Sequence, residues 1–142
     1  MLILVFNNKP LKPLPAMLTN YENHYALYEF HDSILYISYK ADRYIDYQAA
    51  RGIVNDRLRI QSYKACQIIC DVSNVAEIST EAREYLASYG STLATAVALI
   101  STADTLRNMA NYFVTINKPT VPTKIFNNLE DAQNFLKKLN KL

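Results

Sequence analysis

The chain has 142 residues, half of which are hydrophobic, and this length is enough to bury the core of one ordinary domain. Its formal net charge is +2, and acidic and basic residues are interspersed without the basic stripe that nucleic-acid binding requires. No stretch approaches the roughly 20 apolar residues of a membrane-spanning helix, and the apolar start of the chain lacks the basic lead-in of a signal peptide. We therefore expect a cytoplasmic protein that neither binds nucleic acid nor spans a membrane.

The first 20 residues are predicted to precede the main domain. Residues 2–6 form an apolar strand, and three of the five prolines fall in residues 7–18, which excludes a regular helix or a central strand there. We interpret this segment as an extended linker. An SH3-type ligand is the alternative, because the segment contains one P-x-x-P, from Pro10 to Pro13. The main domain is expected to cover residues 21–142.

Two aromatic-rich strands are predicted next. Residues 24–30 (HYALYEF) and 34–40 (ILYISYK) are separated by three residues, a spacing typical of a β-hairpin. Tyrosines cluster around this hairpin, and their amphipathic rings suit either an interface or the ordinary packing of strand residues. A homodimer formed through the hairpin or through the N-terminal strand is therefore left open.

Helical and strand patterns then alternate to the end of the chain. Residues 44–63 have the helical spacing of apolar positions, and Gly52 within them either lowers helix stability or permits close packing. Residues 65–72 (ACQIICDV) and 95–101 (TAVALIS) are typical of strands buried on both faces, and residues 123–126 form a short last strand. A helix follows each of these strands, the last one capped by Asn128. This order predicts an α/β fold with a mixed, mostly parallel sheet of about five strands and flanking helices.

The two cysteines, Cys66 and Cys70, lie in one predicted strand. They are separated by roughly 13 Å of strand, which is too far for a disulfide. Their C-x-x-x-C spacing is neither a zinc knuckle nor a redox motif. We expect buried structural thiols, which fit a reducing compartment.

Catalytic patterns are missing from the sequence. Its two glycines, Gly52 and Gly90, cannot supply a phosphate-binding glycine-rich loop, and there is no G-x-S-x-G motif. His24 and His31 lie on or next to the first hairpin strand, without a further ligand at metal spacing. We expect a non-enzymatic protein with no metal and no cofactor.

The stretch DVSNVAEISTEAREYLAS, residues 71–88, runs from a strand end through a loop into a helix. Asp71 ends the strand, where open α/β sheets place binding crevices, and it can bind a ligand or a metal there, although forming a turn is the commoner role of such an aspartate. Ser79 and Thr80 can cap the helix, since a hydroxyl satisfies a free backbone N–H. The same position also favours an anion such as a phosphate, because the helix dipole and the free N–H groups attract negative charge.

The order of elements and the stretch DVSNVAEISTEAREYL together resemble the STAS/SpoIIAA-like superfamily of anti-sigma-factor antagonists. The corresponding stretch of that family is approximately D-L-S-x-V-x-x-I-D-S-S-G-L-x-x-L, and it carries a phosphorylatable serine at the start of a helix. Thr80 takes the place of that serine. Ser79 replaces the aspartate, Glu81 the second serine and Ala82 the glycine. The matching positions are Asp71, Val72, Ser73, Val75, Ile78 and Leu86.

A closer resemblance is to an uncharacterised SpoIIAA-like (STAS/SEC14-type) branch. It is carried by IST-EAREYLAS, AVALISTA and NKPTVPTKIFNNLEDAQNFL and covers roughly residues 24–139. The resemblance implies a bacterial, regulatory interaction module with a protein partner of unknown identity. Thr80 is then the phosphoacceptor and Ser79 a cap or second acceptor. Asp71, Glu77 and Glu81 belong to the loop on which the partner docks.

Two alternatives accompany this interpretation. Glu77 and Glu81 already carry negative charge, so the loop can instead be a permanently charged form of the switch. The SEC14-type likeness implies a carrier of a small apolar ligand held between helices and sheet. Phe113, Tyr85 and Met109 are the candidates for lining its site, although packing in the core explains these residues equally well.

Overall fold

The computed structural model describes residues 5–6, 9–10, 20–102 and 104–141. The helices are α1 (Tyr47–Ile60), α2 (Thr80–Ala87), α3 (Asp104–Tyr112) and α4 (Leu129–Leu139). The strands are β1 (Val5–Phe6), β2 (Lys9–Pro10), β3 (Asn20–Glu22), β4 (Ala26–His31), β5 (Ile34–Tyr39), β6 (Tyr44–Ile45), β7 (Cys66–Asp71), β8 (Glu77–Ile78), β9 (Ala94–Ile100) and β10 (Thr123–Phe126).

Six strands form the main sheet, in the order β10-β9-β7-β5-β4-β3. β5, β7, β9 and β10 are parallel, and β3 and β4 add two antiparallel pairings at one edge. The predicted α/β fold with a mixed, mostly parallel sheet is confirmed. The sheet exceeds the predicted five or so strands because β3 pairs with β4 in the register Tyr21↔Tyr28. With three residues, β3 is too short to show an alternating pattern.

The two faces of the sheet are covered by different helices. Alternate residues of β5 lie on opposite sides, with Leu35 and Ile37 in the larger core and Ile34 in the smaller one. The larger core lies under α1 and α2, whereas the smaller core joins Ala132 and Leu136 of α4 to the sheet. Cover on both sides explains why the central strands are apolar on both faces.

The order of the strands in the sheet follows their order in the chain. β5, β7, β9 and β10 are added one after another on the same side, with α1, α2 and α3 as the connecting helices. Met109 of α3 packs against the same core as α1 and α2. Among the described strands the order therefore never reverses, whereas the ligand crevices of open α/β sheets form where it does. The position of Asp71 at a strand end is thus no sign of a crevice of that kind.

Polar residues start three of the helices. The side chains of Asp46, Ser79 and Asn128 accept hydrogen bonds from backbone N–H groups three residues further on, at 2.8, 3.1 and 2.9 Å. Each bond satisfies one of the free donors of a first helical turn. The predicted cap at Asn128 is confirmed.

The N-terminal region contains a short antiparallel pairing of β1 with β2, in the register Val5↔Pro10 and Phe6↔Lys9. The first predicted strand thus includes β1, and residues 2–4 lie outside the described residues. β2 falls in the segment interpreted as a linker, and a proline is compatible with so short an edge strand. Residues 11–19 also lie outside the described part of the chain. The domain boundary after residue 20 stays a prediction.

Gly52 lies in the middle of α1, and a Cβ atom added there would meet no heavy atom within 4 Å. The close packing considered for this glycine is therefore wrong. Alanine has a higher helix propensity than glycine, and it leaves the unfolded chain with less conformational freedom. We expect Gly52→Ala to raise the free energy of unfolding by about 0.5–1 kcal/mol, measured by urea denaturation.

Gly90 provides the control for that substitution. A Cβ atom at Gly90 would lie 3.3 Å from both Cβ and Cδ2 of Leu86, so the leucine would have to move. Gly90→Ala should therefore bring no gain in stability. An equal gain at both positions would show that the free space around Gly52 is not what decides the effect.

Candidate functional site

The loop after β7 is held by its own polar residues. The carboxylate of Asp71 accepts a hydrogen bond from the Ser73 N–H at 2.9 Å, as in an Asx turn. The Ser73 hydroxyl oxygen accepts a bond from the Thr102 N–H at 3.1 Å. The Val72 N–H donates to the Ile100 carbonyl at 3.0 Å. Asp71 is thus placed to organise the loop against the end of β9, and a role in docking stays a prediction.

A two-residue parallel pairing fixes the other end of this loop. β8 pairs with β6 in the register Tyr44↔Glu77 and Ile45↔Ile78. The Ser79 N–H also donates to the Ile45 carbonyl at 2.9 Å. The segments that precede α1 and α2 are therefore joined side by side, so the start of α2 has a defined position.

Ser79 and Thr80 occupy different environments at the start of α2. Ser79 is the N-cap, because its Oγ accepts the hydrogen bond from the Ala82 N–H. Thr80 is exposed, and its Oγ1 accepts a hydrogen bond from Nη2 of Arg83 at 3.1 Å. Of the two hydroxyls, that of Thr80 is the more accessible and lies next to a cation.

Arg83 connects Thr80 with α3. Its guanidinium also donates to the Ile78 carbonyl, and its Cζ lies 5.5 Å from the centre of the Tyr112 ring. The family motif does not include this arginine. Its position three residues after Thr80 on a helix is the signal that could have indicated the contact.

Both acidic and basic residues lie within three positions of Thr80 in the sequence. Glu77 in β8 and Glu81 in α2 are exposed, whereas Arg83 is partly buried. The structure thus brings Ser79, Thr80 and Glu81 together at the surface. The described hydrogen bond of the Asp71 carboxylate lies at the opposite end of the loop.

An open groove of about 300 Å³ lies beside Thr80, between α2 and the segment that follows α3. That segment, Phe113–Asn117, is π-helical and ends at Lys118, whose φ of 52° is left-handed. Tyr112 and Ile116 line the groove and remain 48% and 58% exposed. Large apolar side chains open to solvent beside polar ones are typical of a docking surface.

A separate cavity of about 90 Å³ lies between the sheet and α1, α2 and α3. Met109 and Phe113, two of the residues expected to line a ligand site, do line it. Tyr85, the third, does not. Its ring packs between those of Tyr47 and Tyr89, with ring centres 5.4 and 5.5 Å apart. Tyr85 belongs instead to a row of rings on α1, on α2 and just after α2, in which Tyr47 and Tyr89 are exposed.

Arg57 is a buried cation on the wall of this cavity, with 3% of its surface exposed. Its guanidinium donates to the carbonyls of Gly90 and Thr92, at 2.8 and 2.9 Å, and to the side-chain oxygen of Gln61. Desolvation by burial lowers the pKa of Arg57. Arg57 stands four residues after Ile53 on the apolar side of α1, and this pattern is the signal that could have indicated its burial.

Cys66 and Cys70 are free thiols on the side of β7 that faces the larger core. They share one face of the strand, as predicted, and they are partly rather than fully buried. Burial raises the pKa of Cys66 to about 11 and that of Cys70 to about 12, against the opposing effect of the Arg57 cation. Both side chains are therefore neutral thiols at physiological pH.

The raised pKa of Cys70 predicts a loss of stability in alkali. The unfolded chain releases this thiol proton around the ordinary pKa of 9.0, whereas the folded chain keeps it until about 12. Its contribution to stability is thus complete below pH 9.0 and is lost as the pH rises towards 12. We expect Cys70→Ala to make the decline in the free energy of unfolding above pH 9.0 less steep, measured by urea denaturation at successive pH values. An unchanged slope would contradict this assignment.

One solved structure identifies the class of fold. It is the crystal structure of an uncharacterized protein from the DUF3478 family of Shewanella loihica PV-4, described as having a SpoIIAA-like fold. The two chains are 17% identical, with a TM-score of 0.50 over 82% of this chain and 98% of that one. At this identity the likeness concerns the fold alone. The expected resemblance to SpoIIAA-like proteins is therefore confirmed for the fold, and an anti-sigma activity does not follow from it.

The chain belongs to the family described as Domain of unknown function (DUF7793), whose profile matches residues 28–140. The match begins within β4 and ends just after α4, so it includes the start of α2 and the cavity. No curated protein matches the chain. Among the described helices, none combines the length and the apolar character needed to cross a membrane.

Proposed function

We propose that the chain is a non-catalytic, regulatory interaction module of the cytoplasm, whose protein partner binds in the groove beside Thr80. One observation carries the proposal. The exposed Thr80 and the large side chains of Tyr112 and Ile116 line this groove, and the Arg83 guanidinium contacts both Thr80 and Tyr112. A partner can bury the apolar surface and sense the charge at Thr80 in one contact.

Phosphorylation of Thr80 is the proposed switch of this module. A phosphoryl group adds about −1.5 to −2 charge and three acceptor oxygens. It would stand at the N-terminus of α2, next to the guanidinium that already contacts Thr80 Oγ1. Charge-assisted hydrogen bonds are stronger than an exposed cation–π contact, so Arg83 would turn from Tyr112 towards the phosphate. The groove would then change in both charge and shape.

The intact mass of the protein isolated from its own cells tests the switch. A phosphate-sized addition that is absent from a Thr80→Ala variant supports the proposal. A Ser79→Ala variant serves as the matched control, because Ser79 is the cap and should leave the addition in place. An unmodified mass across several growth conditions would count against the switch.

Docking is tested separately from phosphorylation. Ile116 lines the groove and is 58% exposed. We expect a protein partner that copurifies with the wild-type chain to be absent when the Ile116→Ala variant is purified. Leu129→Ala is the control, because Leu129 is 46% exposed and lies on α4, on the other side of the sheet. Equal retention by both variants would place the partner elsewhere, including a second copy of the chain bound through the β4–β5 hairpin.

The cavity supports a second candidate function, the carriage of a small apolar ligand. Its walls include Met109, Phe113 and apolar side chains of the sheet. An unexpected apolar mass in the native mass spectrum of the protein would support carriage. A stoichiometric protein partner in the same spectrum would support the interaction module.

A further inference from the structure

We propose that the cavity under α1 binds a small organic acid, with the acid group at Arg57 and the apolar part against the sheet. This inference rests on carriage, the second function proposed above, and it specifies the chemical class of the ligand.

The charge of the cavity is the first argument. Arg57 and Arg83 both line it, and none of the lining residues that the structure describes is an aspartate or a glutamate. The ion pairs found within the described residues do not involve Arg57. The neighbouring Cys70 supplies no negative charge, because burial raises its pKa to about 12. A buried cation without an anionic partner is unfavourable, and an acidic ligand would provide that partner.

Unused hydrogen-bond donors are the second argument. A guanidinium has five N–H groups, and the described hydrogen bonds of Arg57 use three of them. Within the described part of the chain the other two N–H groups have no acceptor, which a ligand in the cavity would supply. On the other arginine of the cavity wall, Nε of Arg83 is buried and has no hydrogen-bond partner among the described residues. Carboxylate oxygens are the acceptors that best satisfy such donors.

The walls and the size of the cavity define the rest of the ligand. Ile68, Leu99, Met109 and Phe113 present apolar surface, which favours a hydrocarbon part over a purely inorganic anion. The volume of about 90 Å³ is smaller than the roughly 150 Å³ of an engineered cavity that holds benzene. The ligand is therefore smaller than benzene, a short acid with about two or three carbon atoms.

Propionate and propionamide provide the test, because they have the same shape and differ in charge. Their binding to the full chain is measured by NMR titration of backbone amide signals, with sulfate as a third probe. We expect propionate to bind at least about tenfold more tightly than the amide, with shifts at Gly90 and Thr92, whose carbonyls contact Arg57.

Each other result overturns the inference in a recognisable way. Equal affinity for acid and amide would show that the cavity does not recognise an acid group, and the carriage of an apolar ligand would still be supported. No binding of either probe would count against carriage as well. Binding of sulfate as tightly as propionate would show an anion site without an apolar part.

Two variants distinguish an effect of Arg57 from an effect of the overall positive charge of the chain. Arg57→Met should bring the ratio of the two affinities close to one. Arg51 is an exposed arginine on the same helix, and Arg51→Met should leave the ratio of the acid and amide affinities unchanged. A preference for the acid that survives Arg57→Met would overturn the assignment. If that variant fails to fold, the comparison of acid and amide on the wild-type chain decides by itself.

Discussion

Arg57→Met is expected to lower the free energy of unfolding by about 3 kcal/mol. Methionine keeps an apolar side chain of similar length but donates no hydrogen bond, so the carbonyls of Gly90 and Thr92 lose their buried donors. Each loss of this kind costs about 1–3 kcal/mol. Removal of a desolvated cation offsets part of that cost. Because two carbonyls and the Gln61 side chain lose a partner together, we expect the net effect to be destabilising, as measured by urea denaturation.

Arg51→Met is the matched control for this prediction. Arg51 is exposed on the same helix, where its Cζ lies 5.8 Å from the centre of the Tyr47 ring and its guanidinium also interacts with Tyr85. Its replacement should change the free energy of unfolding by no more than about 0.5 kcal/mol. Similar losses for both variants would point to methionine in α1 as the cause. A fully stable Arg57→Met would show that the desolvation of the cation outweighs its hydrogen bonds.

Leu136→Ala is expected to cost about 3 kcal/mol. Leu136 is fully buried in the smaller core, where α4 packs against β7 and β9. The substitution leaves a void that this thin layer cannot easily close, and the helix is also tied there by a bond from Gln67 Nε2 to the Leu136 carbonyl at 2.9 Å. Urea denaturation gives the loss, and amide hydrogen exchange shows whether α4 opens before the rest.

Leu129→Ala makes the same chemical change in the same helix at a position that is 46% exposed. We expect a loss of no more than about 0.5 kcal/mol there. If the two leucines prove equally costly, the loss comes from the helix itself and not from the core between α4 and the sheet.

The elements that depend on local pattern follow from the sequence. β7 and β9 are long apolar runs, and α4 has both a helical spacing of apolar residues and a cap at Asn128. The short strands β3, β6 and β8 do not follow from it. They have two or three residues each, and their pairing depends on which loops the longer elements bring together. A period of two cannot be recognised in so few residues.

Part of the candidate site likewise follows from the sequence, and part of it depends on the packing of distant segments. Ser79 is identified from the sequence as a helix cap because a cap is a local feature. Arg83, Tyr112 and Ile116 are neighbours of Thr80 through the packing of α2 against the end of α3. The π-helical turn that places Ile116 has no clear sequence signal. Arg57 carries a signal, a charge on the apolar side of a helix, but the pattern alone does not reveal that its partners are carbonyls of another segment.

The agreement between strand order and chain order bears on how the chain folds. From β3 to β10, every strand of the main sheet is laid beside the one formed before it, so no strand waits for a distant part of the chain. Such a topology keeps contacts relatively close in sequence, which favours rapid folding. During synthesis the sheet can grow at one edge as each new strand leaves the ribosome. α4 then covers this face of the sheet after β10 is in place, and until that moment the apolar surface at Ile69 and Ala98 stays open to solvent and to other chains.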